Sequence, residues 1–249
     1  MNSNDKKYFI GFHSVASIID EQGLGENDIF YLARRRDDPQ IRRIIQKVNK
    51  KNITIQSCKY SDLTKIVNNE NHQGIALLKA QDLDLTFLTE ADMWQRKGRN
   101  IYLAFEAVQD AGNLGAVIRT AVGLEVTAII LPKQNTAPLG SGANKASAGN
   151  LVNMSYVRVG GLAGFLERAR KHHFLTMGLS THGQELSRNE FKELAQTAQN
   201  IILVFGSEHD GLAQLSEKRC DYLFKLRQQK IESYNLSVSV AISLSMLTL

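Results

Sequence analysis

From residue 100 onward the chain alternates near-continuous apolar runs with stretches of helical period. The runs are 101–108, 126–131, 174–178, 201–205 and 222–226. A strand that is apolar on both faces needs cover on both sides, and short apolar runs separated by helices supply that cover in a parallel sheet. The expected fold class is therefore α/β, with helices on either face of the sheet. Ligands of such sheets sit at the carboxyl ends of the strands. Three segments fall there: DAGNLGAVIRTA (110–121), GSEHDGL (206–212) and IESYNLSVSVAIS (231–243).

Residues 1–80 read differently. DIFYLA (28–33) is strand-like, and DDPQIRRIIQKVNKK follows as a helix in which Asp38 can cap and Pro39 suits the first position. Ile41, Ile44, Ile45 and Val48 share one face of it, with Arg42, Arg43, Lys47 and Lys50 opposite. ITIQS (53–57) alternates as a strand, SDLTKIV (61–67) is a short helix and GIALLKA (74–80) a further strand. The periodicity lapses between 81 and 98 while acidic residues accumulate. The expected organisation is thus a small α/β domain over 1–80, a linker over 81–98 and a larger domain over 99–249.

The 249 residues, 43% of them apolar, suffice for two such cores. No apolar run approaches the ~20 residues of a bilayer span, and the first residues, MNSNDKKYF, lack the apolar segment of a signal peptide. A cytoplasmic protein without membrane partners is expected. Cys58 and Cys220 are the only cysteines, so neither a disulfide framework nor a zinc site is indicated. The net charge of +5 is concentrated in residues 1–80, which hold 13 Lys and Arg against 9 Asp and Glu. That is the place to seek a polyanion footprint, centred on Arg34, Arg35, Arg36, Arg42, Arg43 and Lys47.

In the first of the three segments, Asn113 is expected at or near a helix N-cap, where free N–H groups favour an anion. Arg119 lies six residues on, a rise of ~9 Å, and a long side chain leaning toward the N-terminus recovers most of that distance. In the second, Gly206 ends a buried strand and Glu208 follows; capping of a helix near Gly211 is the plainer role for that carboxylate. His209 has no companion at metal spacing, and no metal is expected. In the third, Ser233, Tyr234 and Asn235 precede an almost wholly apolar helix that must be deeply packed, which places its polar mouth against the sheet ends.

Taken together, NLGAVIRTA, LVFGSEHDGL and SYNLSVSVA resemble, in order and spacing, the three motifs of the SpoU/TrmH family of RNA 2′-O-ribose methyltransferases. FIGFHSVASII and NHQGIALLKA resemble the start and end of the L30e-like RNA-binding domain found in its ribosomal-RNA-modifying branch. The resemblance implies a knotted parallel-sheet SPOUT catalytic domain with a deep trefoil knot, S-adenosyl-L-methionine as methyl donor, and a homodimer. It also implies RNA as partner, with 23S ribosomal RNA favoured over transfer RNA. By the same resemblance Asn113, Arg119, Glu208, Ser233 and Asn235 carry catalysis, and Leu131, Gly206, Leu226, Tyr234 and Asn235 line the cofactor. The sequence departs from the family pattern at Tyr234 and in the lead-in LRQQKIE, and SAGNLVNMSYV lacks the usual Glu and Pro.

Two other readings remain at this level. One is an RNA-binding protein of the same fold without activity, disfavoured by the retained polar residues. The other is a dinucleotide-dependent oxidoreductase, disfavoured because the first turn lacks G-x-G-x-x-G and Leu131-Pro132-Lys133 offers no acid for a ribose.

Overall fold

The computed structural model describes residues 7–33, 38–51, 53–228, 230–231 and 233–248. The chain forms two compact units. The first comprises residues 1–84 and 138–153, and the second 85–137 and 154–249.

The first unit contains, in chain order, β1 (Lys7–Ile10), α1 (Phe12–Glu21), β2 (Ile29–Ala33), α2 (Pro39–Asn49), β3 (Thr54–Cys58), α3 (Tyr60–Val67) and β4 (Ile75–Lys79). The sheet order is β1-β4-β2-β3, with β2 and β3 parallel and the other pairs antiparallel. Alternation along the strands divides the core. Phe9, Phe30, Ile75 and Leu77 pack with Val15 and Ile18 of α1 and with Ile44 and Val48 of α2; Ile10, Tyr31, Ala33 and Ala76 pack with Leu63 of α3. The α2 start follows its sequence signals: the Asp38 side chain accepts from the Gln40 N–H at 2.8 Å, and Pro39 opens the helix.

Residues 138–153, expected within the larger domain, join this unit through α6 (Ser141–Ala146) and the turn after it. The Asn144 amide donates to Ser14 Oγ at 2.7 Å, Lys145 to Asn69 at 3.2 Å, and Ser17 to the Gly149 carbonyl at 2.6 Å. Gly149 has φ of 91°, and a Cβ there would press on Ser17 and the His13 carbonyl. The serines that receive these contacts carry no periodic signal, which is why the sequence did not disclose the pairing.

In the second unit follow β5 (Phe87–Leu88), α4 (Glu90–Trp94), β6 (Asn100–Phe105), α5 (Ala111–Gly123), β7 (Ala128–Pro132), β8 (Tyr156–Val159) and α7 (Leu162–Lys171). After them come β9 (Leu175–Glu185), α8 (Arg188–Gln196), β10 (Asn200–Phe205), α9 (Gln214–Arg219), β11 (Tyr222–Lys225) and α10 (Leu236–Thr248). The seven strands are ordered β11-β9-β10-β6-β7-β8-β5 and every pair is parallel. The expected parallel sheet is present. Two strands, β5 and β8, are shorter than the apolar runs that marked the others, and β5 and α4 occupy the stretch read as linker. α4 forms because Thr89 and Asp92 cap it reciprocally.

One face of this sheet (Tyr102, Ala104, Ile130, Ile202, Val204) packs with Met93 of α4 and with Phe165, Leu166 and Ala169 of α7. Residues of the other parity, Leu103, Phe105, Ile129, Leu203 and Phe205, are also fully buried. α10 packs against α5, α8 and β10. Its Val240, Leu244 and Leu247 are buried, as are Ser239 and Ser243, whose hydroxyl bonds the Ser239 carbonyl within the helix.

In the first unit, Asp28 is 2% exposed and accepts from Lys79 Nζ at 2.6 Å and from the Gly25 and Ala80 N–H groups at 2.9 Å each. Removing one partner of a buried pair strands the other charge, at a cost of about 3–5 kcal/mol. Asp28→Ala should lower unfolding free energy by about 3 kcal/mol in urea titration; a loss below about 1 kcal/mol would show that the pair is solvated.

Candidate active site at the carboxyl edge of the parallel sheet

Four loops leave the carboxyl ends of β6, β7, β10 and β11. After β10, the chain folds into a tight turn: Ser207 N–H donates to the Gly211 carbonyl at 2.9 Å and Gly211 N–H returns to Ser207 at 3.2 Å. Gly211 has φ of 67°, a left-handed value suited to glycine, and Ser207 Oγ accepts from Asp210 N–H. This turn presents Glu208 at its exposed tip. Capping of a helix near Gly211, the plainer of the two roles expected of Glu208, is not what it does: α9 begins only at Gln214. A Cβ at Gly206 would overlap the Gly211 and Leu212 backbone, so the turn can seat on the end of β10 only with glycine there.

After β6, the helix α5 is capped by Asp110, whose carboxylate accepts from the Asn113 N–H at 2.7 Å. Asn113 is thus the third helical residue and not the cap. Its side chain is free to reach outward, and it does so in two directions. Its Nδ2 donates to Glu208 Oε1, and its Oδ1 accepts from Asn235 Nδ2 at 2.9 Å. Asn235 in turn caps α10, its Oδ1 accepting from the N–H and the hydroxyl of Ser237 at 2.9 and 2.7 Å. Three segments distant in sequence meet in one hydrogen-bonded chain.

The other expected residues are placed as follows. Arg119 is exposed on α5, beyond Asn113, with no polar partner among the described residues. Ser233 is exposed beside Tyr234 and also has no partner among them. The Tyr234 hydroxyl donates to the Arg227 carbonyl at 3.0 Å, closing the loop that follows β11. Leu131 and Leu226 are buried at or just beyond the ends of β7 and β11. In the first unit, Arg42 and Arg43 are exposed on α2, while Lys47 is held by Asp20. Arg34, Arg35 and Arg36 lie outside the described residues. Among the described residues, no group of three His, Cys, Asp or Glu is arranged to hold a metal ion.

Sequence reasoning missed Asp110 as the cap and Glu106 altogether. Glu106 was absorbed into an apolar run, although a charged residue inside IYLAFEAV was a usable sign that the strand ends at Phe105. Nearby, the Cys220 thiol is pushed up to about 12, first by burial and then by Asp221, Glu217 and Glu106.

A parallel sheet with these polar segments gathered at its carboxyl edge is the fold of the SpoU methyltransferases. The chain superposes on a crystal structure of an RNA 2′-O ribose methyltransferase with a TM-score of 0.77 at 17% identity, covering 96% of this chain and 86% of that one. On the SpoU methyltransferase AviRb from Streptomyces viridochromogenes, crystallised in complex with the cofactor AdoMet, the TM-score is 0.71 at 18% identity, covering 96% and 88%. Residues 100–245 match the SpoU rRNA Methylase family, and residues 8–81 match the family described as RNA 2′-O ribose methyltransferase substrate binding. The chain belongs to the SpoU rRNA methylase family. It is similar to the 23S rRNA (guanosine-2′-O-)-methyltransferase RlmB of Acinetobacter baylyi, with 27% identity over 247 residues, 96% of this chain and 95% of the relative. The RlmB of Pasteurella multocida is 30% identical over 239 residues, 94% of each chain.

A thiol raised to about 12 stays protonated at pH 8, and the thiolate is the nucleophile. Cys220 in the folded protein should react with iodoacetamide at pH 8 at least a hundredfold more slowly than in urea; comparable rates would place it outside the buried corner.

Proposed function

We propose that the chain transfers the methyl group of S-adenosylmethionine to the ribose 2′-hydroxyl of a guanosine in 23S ribosomal RNA. The observation that carries the reading is the Asn113 amide bridging Glu208 and Asn235, because it gathers all three motif segments at the edge where a parallel sheet binds its ligand. The names of the RlmB relatives supply the RNA and the nucleoside, and the AdoMet bound by AviRb supplies the donor. The protein is a cytoplasmic homodimer with a deep trefoil knot formed by the chain after β10, and an L30e-like domain over 1–80 that selects the RNA. The apolar α10, with Val238 43% exposed, supports burial against a second copy. The exposed Arg42, Arg43 and Lys47 on α2 support phosphate contacts by the first unit, joined by Arg34, Arg35 and Arg36.

The edge fits the cofactor on one structural observation: Glu106 Oε2, enclosed beside the end of β10, has no donor within the described residues. Leu131, Gly206, Leu226 and Tyr234 would hold the cofactor from the ends of β7, β10 and β11. When bound, it supplies an electrophilic methyl on a sulfonium. The hydroxyl oxygen would attack that carbon, the C–S bond breaking as the O–C bond forms, and the hydroxyl proton would pass to solvent at this exposed edge. A ribose hydroxyl is a very weak acid, whereas arginine stays protonated. Arg119, exposed and without a polar partner among the described residues, therefore stabilises the developing alkoxide and the neighbouring phosphate. Asn113 and Glu208 orient the ribose, and Ser233 and Asn235 shape the side facing the methyl group.

The reaction is tested by incubating the full chain with 23S rRNA and methyl-labelled S-adenosylmethionine, followed by digestion to nucleosides. Label in 2′-O-methylguanosine is expected; label on a base, or none, would refute the assignment. Arg119→Ala should lower kcat by about 10²–10³-fold, the typical cost of removing one transition-state donor, with cofactor affinity by calorimetry within about twofold of wild type. A variant that loses cofactor affinity yet keeps kcat at saturation would place Arg119 on the wrong side of the reaction.

A further inference from the structure

Glu106 follows directly on β6, and its backbone N–H donates to the carbonyl of Phe205, the last residue of β10, at 2.9 Å. It therefore stands at the carboxyl edge beside Gly206. By strand alternation its side chain shares the face of Tyr102 and Ala104. On β9, which lies beyond β10, Gly178 pairs with Val204, and Val204 pairs with Ala104; by alternation Ser180 and Glu106 come next outward on that same face.

Two of the carboxylates in this corner differ. Glu217 accepts from the Ser180 hydroxyl and lies 3.4 Å from His182 Nδ1. Glu106 accepts no hydrogen bond and makes no ion pair among the described residues, and its Oε2 is enclosed. An enclosed carboxylate oxygen without a donor is unfavourable, so a chain that keeps one at a ligand-binding edge is expected to have it met from outside. The local charge indicates what meets it. Glu106, Glu217 and Asp221 all act on the Cys220 thiol, opposed by Arg170, which pairs with Asp221 at 2.8 Å; carboxylates outnumber the cation, so the corner is acidic and repels an RNA phosphate. The donors compatible with an acidic, enclosed corner are hydroxyl and ammonium groups, both carried by S-adenosylmethionine.

We propose that Glu106 is a cofactor-binding residue whose carboxylate accepts a hydrogen bond from a hydroxyl or the ammonium group of S-adenosylmethionine. The proposal rests on the methyltransferase reading above and adds a contact from β6 to those assigned at the ends of β7, β10 and β11.

The test is calorimetric titration of the full chain, wild type, Glu106→Gln and Glu106→Ala, with S-adenosylmethionine and separately with 5′-methylthioadenosine, which keeps the ribose hydroxyls but lacks the amino acid. Thermal melts of the unliganded variants serve as the folding control, and the near-isosteric Gln variant guards against a packing defect in the Ala one. S-adenosylmethionine affinity is expected to fall at least fivefold in the Gln variant and at least tenfold in the Ala variant. An equal loss with both ligands identifies a ribose hydroxyl as the donor, and a loss confined to S-adenosylmethionine identifies the ammonium; either supports the proposal. Variants that bind S-adenosylmethionine within twofold of wild type would overturn it and leave the methyltransferase reading standing. A wild-type protein that does not bind S-adenosylmethionine would remove both.

Discussion

The direction of a single row of amide hydrogen bonds ties the candidate site together. A backbone N–H can only donate, so the Ser237 N–H at the start of α10 fixes Asn235 Oδ1 as acceptor. Asn235 is left with Nδ2 to offer, and Asn113 must receive it with Oδ1. Asn113 then has only its own Nδ2 for Glu208, which as a carboxylate can only accept. Each side chain is oriented by the one before it. The row begins at the positive end of the α10 dipole and terminates on a negative charge, an order that favours it electrostatically. It also joins α5, the turn after β10 and the mouth of α10, so the three elements that frame the edge are positioned by the same bonds.

The surrounding fold makes that row possible. Asp110 takes over the capping of α5, which releases the Asn113 side chain from the role the sequence suggested for it. The backbone of Gly211 and Leu212 folds against Gly206, so the turn bearing Glu208 is seated directly on the end of β10. Burial of Val240, Leu244 and Leu247 holds α10 against its neighbours and sets the position of Asn235 at its start. Arg119 and Ser233 stand apart from the row, exposed, as groups that act on a bound ligand would be.

What the sequence disclosed follows from the range of the forces involved. Apolar runs and helical periods report burial, a local property, and the parallel sheet, α2 with its Asp38 cap and the three polar segments were legible from them. Pairing between distant residues leaves no such period. The choice of Asp110 over Asn113 as cap depends on which side chain has a better use elsewhere, and only the approach of Glu208 and Asn235 decides that. The strand β5 carries too few residues to form a recognisable run, and in β8 Arg158 interrupts the apolar pattern. Likewise, the attachment of residues 138–153 to the first unit rests on hydrogen bonds such as Asn144 to Ser14, which no composition rule anticipates. Glu106 was hidden because one charged residue within an apolar stretch was read as part of a strand.

If the amide row acts as a unit, breaking it at one point should release the rest, and a second break should add little. A double-mutant cycle on kcat/KM for RNA methylation, using Asn113→Ala, Asn235→Ala and the combined variant, measures that coupling directly. With each single variant slowed at least about twentyfold, the double variant is predicted to be no more than about threefold slower than the worse single variant, a coupling free energy of at least about 1 kcal/mol. Rate losses that multiply would mean that Asn113 and Asn235 act separately, and would contradict a site organised by their contact.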